Sequence, residues 1–320
     1  MRKNLVWLVG CALLLASFTY FLVVYSNSRR STDVVRLNVP FPAIDFAPFY
    51  VAKSKGWLEE SLSKVGGKPE YLPPFQSIPV TFESLATNRV DMVMTSEVPP
   101  IINKASGVDV KIAWLSCTLN SEVIVRKESP VTNLSDLVGT KIGTMVGSDS
   151  HYWLVRNFEG AGIPRNRVDF VNLTPPDARA AFNSSAIEAW ATFPPFSTIE
   201  LVGGNAKIVD GIKAPIQVVL VARGGFSNQR ADLARAVIDA LQKAKEWIVL
   251  NPSEARVIVA QETNLPQNVV EAAWGQLDWS ASLNEAMVDS IQVNADFLLK
   301  EGLIRKKVDV RSELVLELSK

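Results

Sequence analysis

The chain has little sulfur or imidazole with which to do chemistry. Its 320 residues include two cysteines, Cys11 and Cys117, and one histidine, His151. Cys11 falls inside an N-terminal apolar run, which leaves Cys117 alone in the remainder, so no intrachain disulfide is expected. One histidine cannot build a multi-histidine zinc site and no CxxC pair replaces it, so neither a bound metal nor transition-metal catalysis is expected. Charge of either sign is not in excess: 33 Lys and Arg balance 33 Asp and Glu. Without a basic field to hold nucleic acid by counterion release, DNA or RNA binding is not expected. GxGxxG and GxxxxGK[ST] are missing, which removes support for a nucleotide cofactor, and no other cofactor is expected. GxSxG is missing as well, and Ser148, Asp149 and His151 lie too close in sequence to converge as a hydrolase triad. No catalytic residue is assigned.

What is present is a globular composition, 48% hydrophobic and 21% charged, in a chain long enough for about two domains. Its one long apolar run, residues 5–25, is uncharged, lacks proline and follows Arg2 and Lys3. As a helix it reaches about 32 Å, enough for a bilayer core and longer than the apolar segment of an ordinary cleaved signal. Residues 1–28 are therefore read as a signal peptide or a membrane anchor. Ser26 and Ser28 offer small residues for cleavage, whereas the run's length favours retention. A lipoprotein site at Cys11 is a third reading, disfavoured by the apolar residues that follow the cysteine. All three export the rest of the chain to the outer face of the cytoplasmic membrane.

From residue 34 onward β-branched runs alternate with helical patterns, the pattern of an α/β fold with mostly parallel strands. Strands are expected at 34–39, 90–94, 111–114, 122–126, 141–145, 168–173, 187–191 and 217–222. Helices are expected at 46–55, 77–88 and 99–105, with a helical tail at 228–250, 252–262, 266–275 and 283–301. The helix–turn–strand sequence around RVDMVM echoes that around AIEAWA, which implies two similar lobes. The chain is expected to cross between them near 122–126 and back near 217–222, so 29–124 and 217–320 form lobe one and 125–216 an inserted lobe two.

Ligands of open α/β sheets bind beyond the strands' carboxyl ends, where helix N-termini present free N–H groups. Four turns occupy such places. The candidate ligand-binding residues are Ile44 and Asp45 in the first, and Thr95, Ser96 and Glu97 in the second. Ser148, Asp149, Ser150 and His151 form the third, and Trp190 and Phe193 flank the fourth. Glu122 joins them where the lobes meet. These turns carry small hydroxyls and aromatics and no lysine or arginine, which suits a small anion held by amide and hydroxyl donors. Asp149 competes with an anion at a helix start, and a ligand that also carries an ammonium would reconcile the two. Ser148 or Asp149 as an ordinary helix cap, Glu122 as an exposed hinge charge and Trp190 as core are the alternative structural readings.

The blocks DFAPFYVAKSKGWLEE, ESLATNRVDMVMTSEVPPIINKASG, NSEVIVRKES, DLVGTKIGTMVGSDSHYWL, VNLTPPDARAAF and AIEAWATFPPF, in that order, resemble the NMT1/THI5-like solute-binding proteins. These are the periplasmic taurine, alkanesulfonate and nitrate receptors of ABC importers. The resemblance spans residues 34–308 and implies a two-lobed periplasmic-binding-protein fold of type II, with two hinge strands, that closes on its ligand. It implies a monomer that hands its ligand to a permease served by a separate ATPase. Thr95 and Ser96 resemble the family's first-lobe ligand turn, GSDSH its second-lobe anion turn, Glu122 the taurine branch, and Trp190 with Phe193 its aromatic edge. Asp149 departs from the serine or threonine common in relatives, and FPPF lacks their Trp-x-Pro pattern. Nitrate or a pyrimidine precursor of thiamine remain alternative cargoes. The related pyrimidine synthase, an enzyme, is the third alternative, although Cys117 alone cannot supply its cysteine-rich segment.

Overall fold

The computed structural model describes residues 33–75 and 77–316; the expected signal or anchor segment lies outside them. Among the described residues no helix is long and apolar enough to cross a membrane.

The strands are β1 (Asp33–Asn38), β2 (Gly67–Tyr71), β3 (Met92–Ser96), β4 (Val110–Asn120), β5 (Glu122–Arg126), β6 (Lys141–Thr144), β7 (Asp169–Asn172), β8 (Ala189–Thr192), β9 (Ala206–Ile208) and β10 (Pro215–Arg223). The helices are α1 (Ala47–Ser54), α2 (Trp57–Ser63), α3 (Ile78–Ala86), α4 (Val98–Ala105), α5 (Asp149–Gly160), α6 (Pro175–Asn183), α7 (Phe196–Val202), α8 (Gly224–Gln229), α9 (Ala231–Leu250), α10 (Pro252–Thr263), α11 (Gln267–Trp274) and α12 (Glu285–Lys300). Two five-stranded sheets result, in the orders β2-β1-β3-β10-β4 and β7-β6-β8-β5-β9.

Each sheet has four strands pointing one way and one reversed. The reversed strands are β10 in the first sheet and β5 in the second, each antiparallel to both neighbours. Both are first strands after a crossing: the chain leaves the first sheet along β4 and enters the second at β5, then leaves along β9 and re-enters at β10. Each runs against the other four strands of its sheet. The crossings touch, since the Ser121 N–H donates to the Ala214 carbonyl at 2.7 Å.

β3 is nearly continuous apolar sequence, MVMTS, and its first four residues are buried, as expected for a strand covered on both faces. Leu37, Met92, Val93, Val219 and Val221 form the first sheet's core with α1 and α9. The second sheet is smaller, with Val125, Ile142 and Leu154 under one face and Ile124, Phe182 and Trp190 under the other.

Two expectations change in detail. The helix expected at 228–250 is divided into α8 and α9 at Arg230, whose φ of −132° is not helical and whose guanidinium bonds Asp33 and Asp232. β2, GKPEY, went unforeseen because a proline and two charges spoil any alternation. It is tolerated at the sheet edge, parallel to β1, where a missing N–H leaves no inner ladder bond unmade.

Candidate functional site

Four strand-to-helix turns converge on one cleft between the sheets, the one after β8 contributing Phe193. After β1 the chain makes a single 3-10 turn, Ile44–Phe46, before α1. After β3, Glu97 leads into α4, whose first turn carries Pro99 and Pro100 and so needs fewer amide partners. After β6, Ser148 caps α5 by accepting from the His151 N–H at 3.4 Å. The walls comprise Phe41, Asp45, Phe46, Ile78, Thr95 and Ser96 from the first half, and Met145, Ser148, Asp149, Ser150 and Phe193 from the second. Leu119 of β4 and Ile216 of β10 reach it from the crossing strands, and the cavity that remains is about 20 Å³, room for about one water. The space is narrow, for side chains already meet across it. The Phe41 and Phe193 rings lie 5.6 Å apart, and the Ser96 hydroxyl donates to the Asp149 carboxylate.

Among the described residues the lining holds two carboxylates and no basic side chain. Asp45 is 95% buried in its wall, with 5% exposure, and its Oδ1 has no hydrogen-bond partner. Burial pushes its carboxyl up to about 7, offset in part by its own backbone N–H. Thr95 Oγ1 is buried and likewise without a partner. Asp149 is differently placed, because Oδ2 takes the Ser96 hydroxyl and Oδ1 accepts from the Val98 N–H at 3.3 Å. A carboxylate of the second half thus sits at the N-terminus of a helix of the first, where the backbone's partial positive charge favours it. Ser150 Oγ is hydrogen-bonded to Ser121 Oγ at 2.7 Å, and Ser121 also donates to the Thr192 carbonyl at 2.6 Å. The α5 turn is thereby tied to the crossing segment.

The structure brings together Asp45, Thr95, Ser96, Ser148, Asp149, Ser150 and Phe193 from the sequence-based set, while the other five candidates lie off the cleft. Ile44 is fully buried core beside Asp45. Glu97 turns behind the wall: it accepts from the Gln217 N–H at 2.9 Å and from Asn294 Nδ2 at 3.2 Å. Burial, then the neighbouring Asp149 charge, holds its carboxyl well above the usual range. Glu122 opens β5 and faces a separate groove with Trp153 and Lys213, its carboxyl raised by burial. His151 points into α5's own packing, edge-on to Phe170 at 5.1 Å, and burial lowers it to about 4. Trp190, 2% exposed, packs on Phe182 and Phe196 behind the cleft. Strand alternation explains this last case, because consecutive residues of β8 face opposite sides.

Sequence reasoning passed over Phe46, Ile78, Leu119, Met145 and Ile216. Each is an apolar residue in a helix, strand or turn with no mark to tell a cleft wall from a core. Phe41 had a signal, since it opens the turn that contains Asp45.

Two sheets joined by paired crossings, with a hydroxyl-bearing cleft at their strand ends, define the type II periplasmic-binding-protein architecture. Residues 43–255 match the NMT1/THI5-like family model, and the chain belongs to that family. It is 28% identical over 320 residues to a Bacillus subtilis (strain 168) protein named as an aliphatic sulfonates-binding protein, covering 97% of this chain and 94% of the relative. It is 25% identical over 199 residues to the taurine-binding periplasmic protein of Escherichia coli (strain K12), covering 61% and 62%. The alkanesulfonate-binding protein SsuA of Xanthomonas axonopodis pv. citri, solved bound to MOPS, shares the fold with a TM-score of 0.77 at 21% identity, covering 88% of this chain and 97% of that one.

Proposed function

We propose that this protein is the extracytoplasmic solute-binding component of an ABC importer and captures a small sulfonate-type organic anion, taurine or an alkanesulfonate. The observation that carries the reading is the cleft, whose walls come from both halves and whose hydroxyls, Thr95, Ser148 and Ser150, lie beside the aromatic face of Phe41 and Phe193. Donors held in two bodies meet one ligand only when the bodies close, so differential affinity for the closed form drives closure. The moving bodies are the first sheet with its helices and the second sheet with its helices, hinged where Ser121 meets Ala214. Binding breaks no bond, and the protein is not an enzyme in this reading. The printed name of the taurine-binding relative supports a periplasmic location, and in this reading the ligand passes to a permease with a separate ATPase. Residues 1–28 would direct that export and, if retained, hold the protein beside the transporter at high effective concentration.

A second reading keeps the role and changes the cargo to a pyrimidine, because Asp45 and Asp149 suit a basic heterocycle better than an unaccompanied anion. The test is a thermal-shift series with taurine, alkanesulfonates, nitrate, amino acids and pyrimidines. A ligand at about 100 times its Kd should add about 2.7 kcal/mol to stability. A shift with pyrimidines and none with any sulfonate would overturn the sulfonate reading.

A further inference from the structure

We propose that Asp45 is a ligand subsite that selects cargo carrying a protonated amine or an equivalent N–H donor at the end remote from its anionic group. The inference rests on the solute-binding reading above and names the ligand class that this cleft prefers.

A carboxylate that is structural in a folded protein is normally consumed by its neighbours, as the other acids around the cleft show. Asp149 is bonded to the Ser96 hydroxyl and the Val98 N–H, and Glu97 to the Gln217 N–H and Asn294. Away from the cleft, before the opposite end of β3, buried Asp91 likewise receives the Arg223 guanidinium at 2.8 Å. Asp45 breaks this pattern. Its side chain lines the cleft, and among the described residues its buried Oδ1 has no partner and no lysine or arginine lies in the lining. The titratable groups of adjoining elements that feel its charge are Tyr50 of α1, whose hydroxyl accepts from the Ala43 N–H at 3.5 Å, and Cys117 of β4, both pushed up by burial and neither able to supply a positive charge. Its backbone carbonyl, by contrast, is fully used, receiving Ser116 Oγ at 3.0 Å and Cys117 Sγ at 3.7 Å. The main chain of the turn is therefore fixed while the carboxyl, which lines the cleft, keeps Oδ1 unbonded.

Leaving a buried acceptor unmet costs free energy, and an apolar residue would avoid that cost at a position with no other use. A ligand ammonium recovers it twice, by supplying the missing hydrogen bond and by bringing the counter-charge. Beside Asp45, the aromatic rings of Phe41 and Phe46 line the same space and accommodate the alkyl stem. The hydroxyls of Thr95, Ser148 and Ser150 are then left for the anionic end. A plain alkanesulfonate fills the hydroxyl end and leaves the carboxyl unmet, with like charges at opposite ends of one narrow cleft.

The experiment is calorimetric titration of the full chain and of Asp45→Asn with three probes: taurine, ethanesulfonate, which differs by the missing amine, and a 4-aminopyrimidine. The expected result is wild-type taurine affinity at least about tenfold above ethanesulfonate, with the ratio collapsing in Asp45→Asn as taurine binding weakens and ethanesulfonate binding improves. Equal wild-type affinity for the two sulfonates would overturn the subsite and leave the sulfonate reading standing. Binding of the aminopyrimidine alone, lost in Asp45→Asn, would overturn the sulfonate reading and support the subsite. No binding of any probe would overturn both.

Discussion

The two walls of the cleft use the same residue types in opposite ways. On the first-half wall, Asp45 Oδ1 and Thr95 Oγ1 are buried without partners. On the second-half wall the polar groups are engaged: Ser148 holds the His151 N–H, Ser150 is bonded to Ser121, and Asp149 spans the gap to Ser96 and Val98. The polar atoms with spare bonding capacity belong to the wall that must await a ligand, and the satisfied ones belong to the wall that holds its own helix and clasps its opposite. Substitutions on the first wall should therefore cost affinity without costing stability, and those on the second should cost stability.

The largest expected effect lies behind the second wall. Trp190 is 2% exposed among Phe182 and Phe196, so Trp190→Ala should cost about 3–5 kcal/mol in chemical unfolding through lost burial and a cavity. A weakened ligand affinity with unchanged unfolding would place Trp190 in the site and spoil the contrast.

Next comes pH. Folded Asp45 keeps its proton up to about 7 against an ordinary 3.8, so between those values the folded state binds more protons than the unfolded. The stability tied to its neutral form is full below about 4 and is lost as pH rises through 7. Asp45→Asn should remove that loss, gaining roughly 2–4 kcal/mol on wild type between pH 4 and 8 in thermal melts. His151, on the other side of the cleft, has the opposite sign. Its folded value is lowered to about 4 from 6.5, so the unfolded state takes up protons first and stability falls as pH drops from about 6.5 toward 4. A pH profile for Asp45→Asn parallel to wild type would show that the carboxyl is not held neutral by the fold.

Smaller still is the helix cap. Ser148→Ala deletes the acceptor for the His151 N–H and should cost about 1 kcal/mol of stability, read as a lower denaturant midpoint. Sulfonate affinity should fall as well, because Ser148 also lines the cleft, and a variant with full stability would remove Ser148 from its capping role.

The turns that carry both walls were legible in the sequence, and the limits have physical causes. Strand, small-residue turn and helix form a punctuated pattern, so the positions of Thr95 and Ser148 follow from period and capping chemistry. The reversed strands β5 and β10 share the β-branched composition of the others, and strand direction leaves no mark in composition. Which member of a turn faces the cleft is also hidden, because one residue's step decides between Ser96, on the wall, and Glu97, behind it bonded to β10 and α12. Asp149 shows a third limit. The sequence presents it as a rival to an anion at the start of α5, whereas the structure uses its carboxylate at the start of α4, a pairing between residues 51 apart.

The smallest expected change in stability is the sharpest probe of the first wall. Thr95 lies at the end of β3, paired with Val219 of β10, 2% exposed and with its Oγ1 unpartnered. Thr95→Val keeps the β-branched shape that the strand packs and replaces a hydroxyl making no bond in the free protein, so unfolding should move by less than about 1 kcal/mol, even toward greater stability. In the complex the same hydroxyl is a donor at the ligand's anionic end, and its loss should weaken sulfonate binding by about tenfold, the net worth of one hydrogen bond to a charged group. The split between the two measurements carries the information. Reduced stability with intact affinity would mean that Thr95 is satisfied within the fold, and the two walls would then differ in position alone.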